Sequence, residues 1–417
     1  MMQPLISSLS EIKKFFPKKS LLGSFLFFLI LSSWYVLRPV RNEMAVINVD
    51  ELPYLLAAGA LIMLLINPVY SWIVSRGNLR KIIFYCYSFL ITNLLFFLVS
   101  WKFLTFGTSA WFGKVFYVWC NVYSFFVVSI FWVVIINLYR DSYSRSFYGV
   151  IMAGGSLGAL FGSEISKNFS SSFDNQGIEL FSITSSILLF FAMILAMYMS
   201  SNHTRKNNEN NLGGGSLDGI KNSLSDSEIR NIAIYVWLWT GLMTVQWITA
   251  INIVEEWSSD SEKRIIFFAT IEQYISPLTL ITQLFFTNIL IKKFKIKNIL
   301  IAYGFLFLIA FLLYGLFPSI TIVALVTIFL RVFEYAFNKP VRENIFSALQ
   351  KNDRYKSSVF IDTFISRFGD LSGAAFISMA KITSIASGLI PFVVIPLAGC
   401  LSYIGNKIST SQKVKDL

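Results

Sequence analysis

From Leu21 onward the chain alternates apolar runs of about twenty residues with short polar breaks, and each run, as a helix, is long enough to cross a ~30 Å hydrocarbon layer. The pattern predicts spans near 21–46, 52–73, 81–101, 111–138, 147–165 and 179–199. A second set follows near 231–254, 264–289, 297–316, 319–346, 357–378 and 384–404. Residues 200–229 between the sets are rich in Asn, Ser and Gly and read as a flexible linker. Period-two alternation, which a transmembrane barrel requires, is absent. The expected fold is an all-α polytopic membrane protein of six plus six helices. Its parts are a tail (1–20), a first bundle (21–199), the linker (200–229), a second bundle (230–404) and a second tail (405–417).

Composition agrees. The 417 residues are 55% hydrophobic and only 14% charged, where a soluble domain carries about a quarter charged residues. The net charge of +12 raises the question of nucleic acid, but the distribution answers it. With both termini in the cytoplasm, most Lys and Arg fall on the inner side. Only Lys102, Lys114, Lys167, Lys263, Arg264 and Lys381 fall outside, and Arg38, Arg41, Arg331, Lys339, Arg342 and Arg367 lie within spans. This is the positive-inside pattern, and it leaves lipid rather than nucleic acid as the partner. Lys13, Lys14, Lys18 and Lys19 precede the first span, but no small-residue cleavage site follows it, so the tail is expected to be retained. The Lys-, Asn-, Ile- and Phe-rich composition fits an AT-rich bacterial genome and hence an inner membrane. Cys86, Cys120 and Cys400 lie far apart in apolar spans and suggest neither a disulfide nor a metal site, and His203 stands alone in a polar loop.

The two sets of spans look duplicated. Ser33-Trp34 aligns with Gln246-Trp247, and Asp141-Ser142-Tyr143 with Asp353-Arg354-Tyr355, at offsets of 213 and 212. Parallel repeats of this kind are the major-facilitator arrangement, with a substrate site between the halves. The offset maps Arg38, Arg41 and Glu43 in the first span onto the stretch holding Glu255 and Glu256 in the seventh. Charges inside a span are costly without partners or a task. The expectation is an outer gate, or a cationic rim closed by the glutamates; the plainer alternative is that these long side chains snorkel to the interface.

The tenth span is the other charged helix. Arg331 and Glu334, three apart, are expected to satisfy one another on one helical face. Lys339 and Arg342 share a face and need an anion, which is Glu343, Asp370, a lipid phosphate or a substrate. Arg367 and Asp370 in the eleventh span form an expected ion pair, and Trp34 and Trp247 are candidate cavity linings. Gly154-Gly155-Ser156-Leu157-Gly158-Ala159 lacks the following Lys-Ser/Thr and the preceding strand of a phosphate loop, and reads as close helix packing. No Walker loop and no His or Cys cluster occurs, so neither an enzyme nor a cofactor is called for.

Several motifs together resemble the ATP/ADP translocase (nucleotide transporter) family and its shorter bacterial relatives of major-facilitator type. They are Leu37-Arg38-Pro39-Val40-Arg41, Ile251-Asn252-Ile253-Val254-Glu255, Lys339-Pro340-Val341-Arg342-Glu343, Tyr355-Lys356, Phe360-Ile361-Asp362-Thr363 and Arg367-Phe368-Gly369-Asp370. The resemblance implies exchange of an anionic nucleotide, with Arg41 and Glu255 carried over as functional positions. The chain departs from the family in two places. Phe131-Trp132 is present in the fourth span but no acid occurs between Phe116 and Arg140, where the family places one before that pair, and Asp370 stands where a lysine is usual. The resulting expectation is a secondary transporter, an antiporter, moving a phosphorylated or otherwise anionic metabolite by alternating access. Arg38, Arg41, Lys339, Arg342, Trp34, Trp247 and Asn252 would contact it, and Glu43, Glu255, Glu256, Arg367, Asp370, Arg331 and Glu334 would gate or compensate. The alternatives are a carrier of a drug, cation or neutral solute with the charges as gates, and a non-transporting membrane receptor or assembly factor. Sequence is silent on oligomeric state.

Overall fold

The computed structural model describes residues 18–76, 78–104, 109–138, 148–173, 177–201, 227–348 and 360–409. Residues 1–17 and 410–417 of the tails, 202–226 of the linker, the Asp141–Tyr143 and Asp353–Tyr355 repeats and Lys356 lie outside these. Among the described residues the chain is helical. The helices are α1 (Lys18–Ile47), α2 (Leu52–Arg76), α3 (Leu79–Phe103), α4 (Ala110–Leu138), α5 (Tyr148–Phe169), α6 (Glu179–Ser201) and α7 (Ser227–Trp257). There follow α8 (Ser261–Ile281), α9 (Thr287–Leu316), α10 (Ile320–Phe333), α11 (Lys339–Ala348), α12 (Ser366–Ile382) and α13 (Ile390–Ser409). Three five-residue π segments interrupt the series, at Thr282–Phe286, Glu334–Asn338 and Ile361–Ile365.

Nine described helices are long and apolar enough to cross a membrane, and Leu52–Pro68 is a shorter apolar one. The chain is a multi-pass membrane protein. The remaining spans expected from sequence, α5 and α12, are less apolar for identifiable reasons. One is rich in Gly and Ser and carries Glu164 and Lys167; the other carries Arg367, Asp370 and Lys381.

The two sequence halves use the same helix pairings. α3 packs along α6, and α9 packs along α13. Glycine sets a second matched pair. A Cβ on Gly154, Gly158 or Gly162 of α5 would run into the main-chain carbonyls of Ser24, Phe28 and Ser32 on α1. In the second half, Gly369 and Gly373 of α12 press in the same way on the carbonyls of Trp237 and Gly241 on α7. Glycine every fourth residue lets two backbones approach, and dispersion then holds them where lipid supplies no hydrophobic drive. The expected packing role of the Gly154–Ala159 stretch is therefore what the structure shows. The aligned residues Ser33 and Gln246 each anchor a buried polar cluster. Ser33 Oγ bonds Ser185 Oγ at 2.8 Å and also meets the Tyr123 hydroxyl, while Gln246 Nε2 donates to the Tyr314 hydroxyl at 2.8 Å.

By contacts the chain forms two compact units. One comprises residues Met1–Glu43, Ser71–Asn207 and Ser261–Pro277; the other comprises Met44–Tyr70, Asn208–Asp260 and Leu278–Leu417. Each unit thus takes most of one sequence half plus a segment of the other, drawn from the first part of α2 or of α8.

Candidate functional site

In the first unit, the charged end of α1 lies against α8. Glu43 is fully buried, and its carboxylate takes Arg264 Nε at 2.8 Å and the guanidinium's Nη2 as well. Arg264 is itself buried and also reaches Ser261 Oγ at 3.3 Å. Two turns further along α8, Glu272 is 3% exposed and receives both Nη atoms of Arg38, each at 3.2 Å. Arg38 also donates to the Tyr35 hydroxyl at 3.0 Å and stands over that ring. Moving back along α1 from Glu43 to Arg38 moves forward along α8 from Arg264 to Glu272, so the helices run antiparallel and the pairs form two rungs of a ladder. Two-point pairing suits the planar guanidinium, and burial makes each rung strong but intolerant of losing one partner. Gln273, next to Glu272, donates to Glu164 of α5.

Arg41 faces elsewhere. Its guanidinium donates to Asn121 Oδ1 at 2.7 Å and to the Tyr117 hydroxyl at 3.1 Å, one turn apart on α4, and lies 4.4 Å from the Tyr117 ring centroid. Asn42 Oδ1 accepts a further bond at 3.0 Å. Arg38 and Arg41 therefore do not make a bare cationic rim; each has its own partners on a different helix.

Within the first unit, the residues bound to Arg38 and Glu43 come from α8; the seventh-span glutamates belong to the other unit. Glu255 and Glu256 are exposed at the end of α7 and take part in no ion pair among the described residues, while Asn252 and Trp247 are half-buried. A repeat offset identifies equivalent positions, and equivalence across an axis does not imply contact. The partner residues on the next helix, Arg264 and Glu272, carry their own signal: Glu272 is a lone carboxylate within an apolar span. Trp34 is 9% exposed and packs near Tyr123.

The second unit holds the other charges. Glu334 pairs with Lys339 at 3.0 Å rather than making the expected contact with Arg331, whose guanidinium lies 5.7 Å from the Tyr335 ring centroid. The cause is the π segment Glu334–Asn338: with i to i+5 bonding, residues five apart come onto one face. The altered main chain is supported from outside the segment. Gln283 donates to the Tyr335 carbonyl at 3.0 Å and Thr287 to the Ala336 carbonyl at 2.8 Å. Lys339 Nζ sits 4.3 Å from the Tyr335 centroid and remains 41% exposed at its side chain. Arg342 finds Asp362 at 2.9 Å, an acid from another π segment, and lies 5.6 Å from the Trp239 centroid. Arg367 and Asp370 pair at 2.8 Å as expected, with Thr244 of α7 donating to Asp370 at 3.1 Å. Side chains of Glu343 and its neighbour Asn344 lie outside those described.

The result is a set of cations each held beside a carboxylate or an aromatic ring. Such an arrangement can hand a cation from a protein carboxylate to an anionic ligand without moving a bare charge through low dielectric. The rings offer faces for cations or planar groups.

No protein-family profile and no curated protein sequence matches the chain. Among solved structures, the nucleoside transporter NupG is 10% identical with a TM-score of 0.67, covering 95% of this chain and 100% of its own. The human organic anion transporter MFSD10 (TETRAN) is 13% identical with a TM-score of 0.63, covering 94% and 100%. A bacterial homolog of the human lysosomal transporter Spinster, in an inward-facing and unoccupied conformation, is 12% identical with a TM-score of 0.56, covering 96% and 94%. Nothing among these singles out the ATP/ADP translocases. What they share with this chain is the fold, and that fold is of the major-facilitator type.

Proposed function

We propose that the protein is a secondary transporter working by alternating access in a bacterial inner membrane, with both termini cytoplasmic. In this reading the α1–α8 ladder is its outer gate. The observation that carries the proposal is the pair of buried ion pairs, Arg38–Glu272 and Glu43–Arg264, which join helices from different sequence halves. Alternating access requires bonds between halves that break and re-form, and two-point charge pairs can do both once water reaches them. The positive-inside distribution supports an outer position for the ladder.

The substrate in this proposal is an anionic, phosphorylated metabolite, nucleotides first, exchanged across the membrane. Lys339 and Arg342 would hold its phosphates, leaving Glu334 and Asp362, with Tyr335 and Trp239 flanking. Arg41, at its α4 partners, would be a further contact. The resemblance of the motifs to nucleotide exchangers supports this, as does a fold shared with a nucleoside transporter and an organic anion transporter. One observation favours a second reading, a carrier of a neutral or cationic solute: Arg38, Lys339, Arg342 and Arg367 are each already paired with a carboxylate.

Uptake of radiolabelled ATP into proteoliposomes, with ADP, sugar phosphates and nucleosides as competitors, separates the readings. Competition by the phosphorylated compounds, lost in Arg41→Ala and in Lys339→Ala with insertion intact, is expected. Competition by nucleosides alone sinks the anionic substrate.

A further inference from the structure

α2 and α8 share a feature that the ladder does not explain. Each contains one internal proline, Pro68 and Pro277, and each proline is the seventeenth residue of its helix as counted from Leu52 and from Ser261. The division between the compact units falls beside the same two residues, after Tyr70 in α2 and after Pro277 in α8. Proline removes the bond to the carbonyl four residues back (Leu64 and Gln273 here) and pushes that turn apart. Directly after α8 the π segment Thr282–Phe286 loosens the helical run again within two turns of Pro277.

The parts before the prolines are also the parts pinned to the other sequence half. On α8, Arg264, Glu272 and Gln273 are bound to Glu43, Arg38 and Glu164. In the turn that leads into α2, Asp50 takes Lys381 from the end of α12, through its main-chain carbonyl at 3.2 Å and its carboxylate at 3.4 Å. The first part of α8 is thus fastened to the opposite sequence half by buried pairs and the entry to α2 touches it through an exposed one, while the remainder of each helix stays with its own. A rigid rod fastened in this way has to be released whole, whereas a jointed one can be released by swinging its outer arm.

We propose that Pro68 and Pro277 are the joints of the outer gate: when the ladder opens, the arms Leu52–Asn67 and Ser261–Ser276 swing about them instead of moving with straight helices. This rests on the ladder being a gate. It assigns the two prolines a positioning role, acting through the arms they carry rather than by touching a substrate.

The test uses full-length protein in proteoliposomes with Cys86, Cys120 and Cys400 replaced and a single cysteine at Asn42, which is buried beside the ladder. The readout is the rate of labelling by a membrane-impermeant maleimide. Removing one rung without leaving a charge, by Arg38→Gln with Glu272→Gln, should raise the rate about tenfold, the ratio that loss of one such pair produces in a two-state equilibrium. Adding Pro68→Ala and Pro277→Ala, which restore the helical bond, should return the rate close to that of the intact ladder. Replacing both prolines by Gly, which keeps a bend available, should leave it high. Equal fast labelling in the Ala and Gly versions overturns the joints and leaves the gate standing. No acceleration on removing the rung overturns the gate, and the joints with it.

Discussion

The ion pairs of the first unit and those of the second differ in how far they reach along the chain. The α1–α8 rungs join residues 234 and 221 positions apart; Glu43–Arg264 is buried, and Arg38–Glu272 is buried on its carboxylate side. In the second unit, Glu334–Lys339 and Arg367–Asp370 lie within a turn or two of one helix, Arg342–Asp362 links neighbouring spans, and all three pairs have an exposed partner or are partly exposed on both sides. A contact within a helix survives rigid-body motion of that helix. A contact between halves does not. The ladder is therefore suited to report and control the conformational state, and the local pairs to hold charges ready inside one body.

The comparison breaks most severely at Glu43. Glu43→Ala strands Arg264 in a buried site and should cost about 3–5 kcal/mol of stability, seen as a large fall in unfolding temperature in detergent. Replacing both residues by leucine should recover most of that loss, because no uncompensated charge is left. Next in size is Arg38→Gln: Glu272 loses a two-point partner while Arg38 itself is 17% exposed, so about 1–3 kcal/mol is expected in the same assay.

The second unit should behave in the opposite way. Arg342→Ala faces a half-exposed Asp362 and should change stability by only about 0–1 kcal/mol, yet abolish ATP-competable binding. A large stability loss there would erase the distinction between ladder and cluster. The smallest effect belongs to Lys381→Ala. Its partner Asp50 is 92% exposed at the side chain, so a change within about 0.5 kcal/mol is expected, fading further in 1 M salt.

Much of the fold was legible because a bilayer forces a simple code: runs of about twenty apolar residues and positive charge on one side. The glycine packing of α5 was legible for the same reason, since Gly at four-residue spacing has few other uses in lipid. The pairings were less so. The Arg331–Glu334 expectation assumed α-helical spacing, and the π segment changes which residues share a face; no local sequence rule announces that segment. The Arg38 and Glu43 partners lie over two hundred residues away, where a repeat offset points to the equivalent helix, α7, and not to the neighbouring one, α8. Glu272 was nonetheless visible as an acid inside an apolar run. Arg367–Asp370, local and α-helical, was read correctly.

The central claim is that the ladder opens in every cycle. Glu43→Cys with Arg264→Cys, in the cysteine-free background, replaces the outer rung by two thiols that a short, cleavable bifunctional reagent can bridge. Uptake of radiolabelled ATP into proteoliposomes, measured before bridging, after it, and after cleavage of the bridge, decides the matter. The account predicts uptake that stops on bridging and returns on cleavage. Uptake that continues at the same rate with the bridge in place would contradict it.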